Sequence, residues 1–143
     1  MLVKNILAEK GGATFTLAPD ATVMDALQSM AQHNVGALIV TSPEMAIKGI
    51  LSERDVVRAL SRDGRGALDK SVAELMTSKV KTCTEDSTVP EVMELMTTGR
   101  FRHLPVERAG KLIGVISIGD IVKRRIEEIE REAEDIRSYI ASA

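Results

Sequence analysis

The sequence predicts an α/β (α+β) protein built from two tandem copies of one β-α-β-β-α unit, with a long C-terminal helix after them. Residues 16–40 recur 66 positions later as 82–106, matching Asp20 with Asp86, Thr22 with Thr88, Met30 with Met96 and Leu38 with Leu104. Gly49, Ser52, Asp55 and Val57 recur 65 positions later as Gly114, Ser117, Asp120 and Val122. Within each copy the apolar pattern alternates between helical spacing and short β-rich runs. The chain has 143 residues, so each half would bury too little surface to stand alone, and the halves are expected to share a core.

The elements follow in order. Val3-x-x-Ile6-Leu7 answers Val72-x-x-Leu75-Met76 and opens each copy. A first strand begins near Thr14 and Thr16 in one copy and near Val80 in the other. Thr22-Val23-Met24-Asp25 and Thr88-Val89-Pro90-Glu91 have the form of capping boxes, with Pro90 in a first turn where its missing N–H costs nothing. Behind them Val23, Ala26, Leu27 and Met30, or Val89, Val92, Met93 and Met96, recur at helical spacing. Two apolar runs then read as a hairpin-like strand pair, Val35–Val40 with Gly49–Leu51 and Phe101–Val106 with Ile113–Ile116. A helix follows each Ser-x-x-Asp, and Ser61–Gly66 begins the linker. From Val122, the apolar positions Ile126, Ile129, Ala133, Ile136 and Ile140 advance by alternating fours and threes, a heptad-like seam of about three repeats.

Composition narrows the function classes. A formal charge of −2 and only Phe15, Phe101 and Tyr139 as aromatics argue against a long nucleic acid as partner. The lone Cys83 excludes an internal disulfide framework, and no signal peptide or apolar run near the ~20 residues needed to span a bilayer is visible. A cytoplasmic protein with no membrane partner is expected. No nucleophile with a base, paired acids or Cys/His metal spacing points to catalysis.

Ser52-x-x-Asp55 and Ser117-x-x-Asp120 each close a Gly-apolar-apolar run and open a helix. A Ser N-cap with an acidic residue three positions on is an ordinary helix start, and duplication copies a cap as faithfully as a site. Chemistry around the second copy adds to this. Arg102 and His103 stand where the first copy has Gly36 and Ala37, and cations on an aliphatic strand are costly unless they reach solvent or an anion. With the helix N-terminus at Ser117, a phosphate is a natural occupant.

These motifs together resemble the cystathionine β-synthase (CBS) domain, and the whole chain resembles a stand-alone tandem pair, the Bateman module, over about residues 2–123. The resemblance rests on Thr22-Val23-x-x-Ala26-Leu27-x-x-Met30, Gly36–Val40, Gly49–Asp55, Arg102–Val106 and Gly114–Asp120. It implies residues 1–63 as first unit, 64–71 as linker, 72–123 as second unit and 124–143 as a C-terminal helix available for a dimer contact. It also implies a non-catalytic regulatory or energy-sensing module, with no required cofactor, that binds AMP, ADP, ATP, NAD or S-adenosylmethionine in clefts about a pseudo-twofold axis. A homodimer and a regulated protein partner are implied as well. By position, Asp55 and Asp120 would take ribose hydroxyls, while Ser52 and Ser117 would take ribose or phosphate oxygens. Thr14, Thr16 and Val80 would meet the adenine edge. Gly36, Ala37 and Leu38, or Arg102, His103 and Leu104, would wall base and phosphate. Arg54 in one junction answers the small, neutral Gly119, beside Ile118, in the other, and the Ser117–Asp120 side is expected to prefer a phosphorylated adenosine most strongly. The alternative is a scaffold with vestigial clefts that acts through its C-terminal helix.

Overall fold

Local capping sets where the helices begin. In the computed structural model, which describes residues 1–11 and 14–142, the Thr22 hydroxyl accepts from Asp25 N at 3.1 Å and the Asp25 carboxylate accepts from Thr22 N at 3.2 Å. Thr88 and Glu91 repeat the exchange at 3.2 and 3.3 Å, with Pro90 in the first turn. The elements are α1 (Val3–Lys10), β1 (Thr16–Leu17), α2 (Val23–His33), β2 (Ala37–Thr41), β3 (Ile47–Ser52), α3 (Glu53–Asp63) and a 3₁₀ turn (Gly64–Asp69). They continue with α4 (Val72–Leu75), α5 (Val89–Gly99), β4 (His103–Arg108), β5 (Lys111–Ser117) and α6 (Ile118–Ser142). Ala143, the last residue of the expected 124–143 helix, lies outside the described residues.

Each copy carries its expected hairpin. β2 and β3 pair antiparallel from Ala37 with Ser52, and β4 and β5 from His103 with Ser117. The first strand is shorter than the sequence suggests: β1 adds two residues parallel to β2, and its counterpart is a single bridge between Cys83 and Val106. Cys83 N donates to Pro105 O at 3.0 Å, but Pro105 has no N–H to extend the ladder toward Lys81.

The halves interlock by exchanging their opening helices. Val3 and Ile6 of α1 are buried in the core of the second copy, with Val89, Val92, Leu104 and Ile116. Val72 of α4 lies in the core of the first, with Val23, Met30, Leu38 and Leu51. The same contacts appear twice with the copies exchanged, as pseudo-twofold packing requires: Val3 N donates to Ser87 O at 2.9 Å and Val72 N to Ala21 O at 2.7 Å. The glycines that open β-rich runs make the exchange fit. A Cβ on Gly114 would lie 2.6 Å from Leu7 of α1, and one on Gly49 would lie 2.8 Å from Thr77 O and 2.5 Å from the Met76 sulfur. A side chain at Gly49 would press on the backbone of the exchanged segment, and one at Gly114 on the Leu7 side chain alone.

Candidate functional site

Both Ser-x-x-Asp junctions close as capping boxes. Asp55 Oδ2 accepts from Ser52 N at 2.9 Å and Ser52 Oγ from Asp55 N at 3.3 Å; Asp120 and Ser117 repeat this at 2.8 and 3.1 Å. Capping uses one carboxylate oxygen of Asp55. Among the described residues, its Oδ1 accepts no hydrogen bond and remains open to a ligand donor.

The Asp55 junction forms one wall of a cleft of about 650 Å³ between the halves, within the size range of small-molecule sites. The first copy contributes Gly36, Ala37, Ile50, Arg58 and the run Ser52–Asp55. The segment after α4 contributes Thr77 and Lys79–Lys81, and the second copy contributes Arg100–His103 and Pro105. Each piece is positioned by backbone. Arg54 and Arg58 are one turn apart on α3, so they share a face. Ile50 N donates to Thr77 O at 3.0 Å and Thr77 N to Ile50 O at 2.9 Å, which carries the two lysines past the cleft. Arg100 caps α5 in the left-handed conformation, φ 56°, and turns the chain into Phe101 and Arg102.

Charge is the distinguishing property of this cleft. Six permanent cations line it, Arg54, Arg58, Lys79, Lys81, Arg100 and Arg102, against two acids, Glu53 and Asp55. Among the described residues none of the six is in an ion pair, whereas other cations such as Lys10, Lys70 and Arg108 are. Concentrated, unpaired positive charge in a chain of formal charge −2 fits an anionic ligand. His103 sits at the edge of this field. Burial, and then the Lys10 ammonium, push its imidazole below the ordinary 6.5; Asp120 pulls the other way and Arg102 adds to the depression.

At the other junction Asp120 Oδ1 likewise accepts no hydrogen bond among the described residues, but a lysine of the chain sits on Oδ2. Lys10 Nζ donates to Asp120 Oδ2 at 2.7 Å and to Val115 O at 2.9 Å. Burial pushes the Asp120 carboxyl up, but the Lys10 ammonium and the Ser117 backbone and hydroxyl donors outweigh it and leave the carboxyl below its usual 3.8.

Of the residues singled out in the sequence, Gly36, Ala37, Ser52, Arg54, Asp55, Val80, Arg102 and His103 meet in this one cleft. Thr14, Thr16, Ser117, Ile118, Gly119 and Asp120 lie outside it. One expectation needs correction. Leu38 and Leu104 are 0 % exposed and fill their own cores, because alternation along β2 and β4 turns them away from the ligand side. Arg102 and His103, expected at the Ser117–Asp120 corner, also line the cleft that holds Ser52 and Asp55, while His103 pairs with Ser117 in the hairpin and feels the Asp120 charge. Packing of the halves about their twofold axis sets the start of β4 across from the start of α3. Missed in the sequence were Ile50, Glu53, Arg58, Thr77, Lys79, Lys81, Arg100, Phe101 and Pro105. Only Arg58 carried a usable signal, its helical spacing from Arg54.

Two interlocked β-α-β-β-α units with a cation-lined cleft between them define the chain as a tandem-repeat α/β module. It belongs to the CBS domain family, whose pattern it matches over residues 13–62 and again over 72–127. The mitochondrial CBS domain-containing protein CBSX3 of Arabidopsis thaliana is 38% identical over 146 residues, covering 96% of this chain and 71% of that protein. A CBS-domain protein of Agrobacterium tumefaciens superposes with a TM-score of 0.82 at 44% identity, over 87% of this chain and 92% of that one. A Pyrobaculum aerophilum CBS domain protein solved in complex with AMP gives 0.74 at 25% identity, over 84% and 89%. The CBS domain pair of protein MJ0100, solved with 5′-methylthioadenosine and S-adenosyl-L-methionine, gives 0.78 at 25% identity, over 90% and 98%.

Proposed function

We propose that the chain is a non-catalytic regulatory module that binds a phosphorylated, adenosine-containing ligand (AMP, ADP, ATP or NAD) in the cleft between its two CBS units. The observation that carries this reading is the six cations, unpaired among the described residues, beside the open oxygen of Asp55. In this reading Asp55 takes the ribose hydroxyls, Arg102 and Arg54 take the phosphate, and Phe101, Ile50 and Val80 flank the base. The AMP and S-adenosylmethionine complexes of related CBS pairs support an adenosine core. The charge of this particular cleft favours the phosphorylated members of the class, since each sheltered cation-to-phosphate contact is worth about 1.5–3 kcal/mol. Isothermal titration of the purified chain with AMP and with adenosine tests it. AMP is expected to bind at least tenfold more tightly than adenosine, with Asp55→Ala and Arg102→Ala each weakening AMP. Absence of heat and of thermal stabilisation with AMP, ADP, ATP and NAD alike would refute the reading and favour the scaffold function.

A further inference from the structure

Positive charge in the cleft exceeds what one phosphate uses. Six permanent cations stand there against two carboxylates, an excess of four positive charges. A phosphate monoester carries only about −1.5 to −2 near neutral pH. Arg102 and Arg54 are enough to saturate its oxygens, since each guanidinium can engage two of them at once. Arg58, Lys79, Lys81 and Arg100 are then left over, and among the described residues no carboxylate of the chain pairs with them.

The two signs are held by different parts of the cleft. Both carboxylates belong to the first turn of α3, where Glu53 N donates to Gly36 O at 2.9 Å and Asp55 spends Oδ2 on the Ser52 cap. Four of the cations come from the facing segments, Lys79 and Lys81 after α4 and Arg100 and Arg102 at the entry to β4, while Arg58 lies a turn beyond Asp55 on α3. All six cationic residues are exposed, so each can reach an extended anion without leaving a charge buried. A ligand whose sugar sits on Asp55 therefore has more cations within the cleft than a single phosphate can occupy.

We propose that the cleft selects an adenosine polyphosphate over the monophosphate and takes it as the metal-free anion, so that Mg²⁺ opposes binding. The proposal rests on the adenosine reading above and narrows it. A free triphosphate carries a charge of about −4, which matches the excess in the cleft, and its chain offers oxygens to the four cations that a monophosphate leaves unused. Mg²⁺ on the nucleotide occupies those same β and γ oxygens and cancels two of the negative charges. Guanidinium and ammonium groups of the chain thus take the place that the metal holds on the free nucleotide. The module then responds to nucleotide that no divalent cation has complexed, and so to the balance between the two.

Calorimetric titration of the full chain with ATP and with AMP, each in EDTA and again in excess MgCl₂ at matched ionic strength, tests it. In EDTA, ATP is expected to bind about tenfold or more tightly than AMP, and excess Mg²⁺ to weaken ATP by about tenfold while leaving AMP within about twofold. Arg58→Gln, an exposed position on α3, is expected to cost ATP about tenfold and AMP no more than about threefold. AMP binding as tightly as metal-free ATP, Mg²⁺ that strengthens ATP or leaves it unchanged, or equal losses for the two nucleotides in Arg58→Gln would each overturn the proposal and leave the adenosine reading standing. Failure of both nucleotides to bind in either condition would overturn the adenosine reading and this proposal with it.

Discussion

Lys10 and Asp120, 110 residues apart, form an ion pair of 2.7 Å. The pair sits where the first copy leaves Asp55 without a lysine. Lys10 corresponds to Lys79 in the repeat, and Lys79 lines the cation-rich cleft without an ion pair among the described residues. Among the described residues Oδ1 accepts no hydrogen bond at either junction, so the two differ in charge: one carboxylate is neutralised by an ion pair within the chain and the other is not. The expected outcome is one AMP per chain in the native protein and a second, weaker binding event in Lys10→Ala, read as stoichiometry by calorimetry. Unchanged stoichiometry in the variant would show that Lys10 does not guard that junction.

His103 gives binding a pH dependence. Its folded pKa lies below 6.5, from burial first and then Lys10, with Asp120 opposing and Arg102 adding to the depression. Between the folded value and 6.5 the unfolded chain binds more protons, so this residue's contribution to stability is lost as pH falls below 6.5. A phosphate beside the ring raises its pKa, so binding takes up a proton. Calorimetry near pH 6 in buffers of different ionisation enthalpy should show proton uptake on AMP binding that His103→Asn lacks. The variant is the needed control, because a phosphate monoester itself titrates at about 6. Equal uptake in both proteins would place His103 away from the phosphate.

How much of this was legible in the sequence depended on whether the signal was local. Thr22 with Asp25, Ser52 with Asp55 and their counterparts are three-residue relations, and all closed as capping boxes. The heptad seam was visible for the same reason. The exchange of α1 and α4 was not, because both copies have aliphatic cores of similar composition and nothing in the Val3 or Val72 segment marks which core it enters. The site suffered from that same ambiguity. Arg102 and His103 could be assigned to a strand, but which junction their side chains face is a property of the packing, and Lys79 and Lys81 are brought to the cleft by a pairing between Ile50 and Thr77 that no pattern announces.

Arg100 should trade stability for affinity. Its φ of 56° is uncommon for a side chain of this kind, and the equivalent cap of α2 is Asn34 at 54°. Asparagine tolerates this conformation better. Arg100→Asn is therefore expected to stabilise the chain by about 0.5–1 kcal/mol, or ~2–4 °C in melting temperature, while weakening AMP several-fold by removing a cleft cation. A variant less stable than the native protein, or one that binds AMP equally well, would contradict the assignment.

Gly49 and Gly114 make the same approach to exchanged segments, but what they approach differs. A Cβ at Gly114 meets the end of the Leu7 side chain, which can swing aside at a cost of about 1 kcal/mol. A Cβ at Gly49 meets Thr77 O at 2.8 Å as well as Met76, and a backbone carbonyl cannot step aside without dragging its chain. That carbonyl is the acceptor for Ile50 N, and the chain it belongs to runs on into Lys79 and Lys81. Gly49→Ala is accordingly expected to cost more, about 2–3 kcal/mol by urea denaturation, and also to weaken AMP, because shifting Thr77 moves two of the six cations. Gly114→Ala should lose stability alone. Equal losses in the two variants, or unchanged AMP affinity in Gly49→Ala, would mean that the Thr77–Lys81 segment can move without disturbing the cleft.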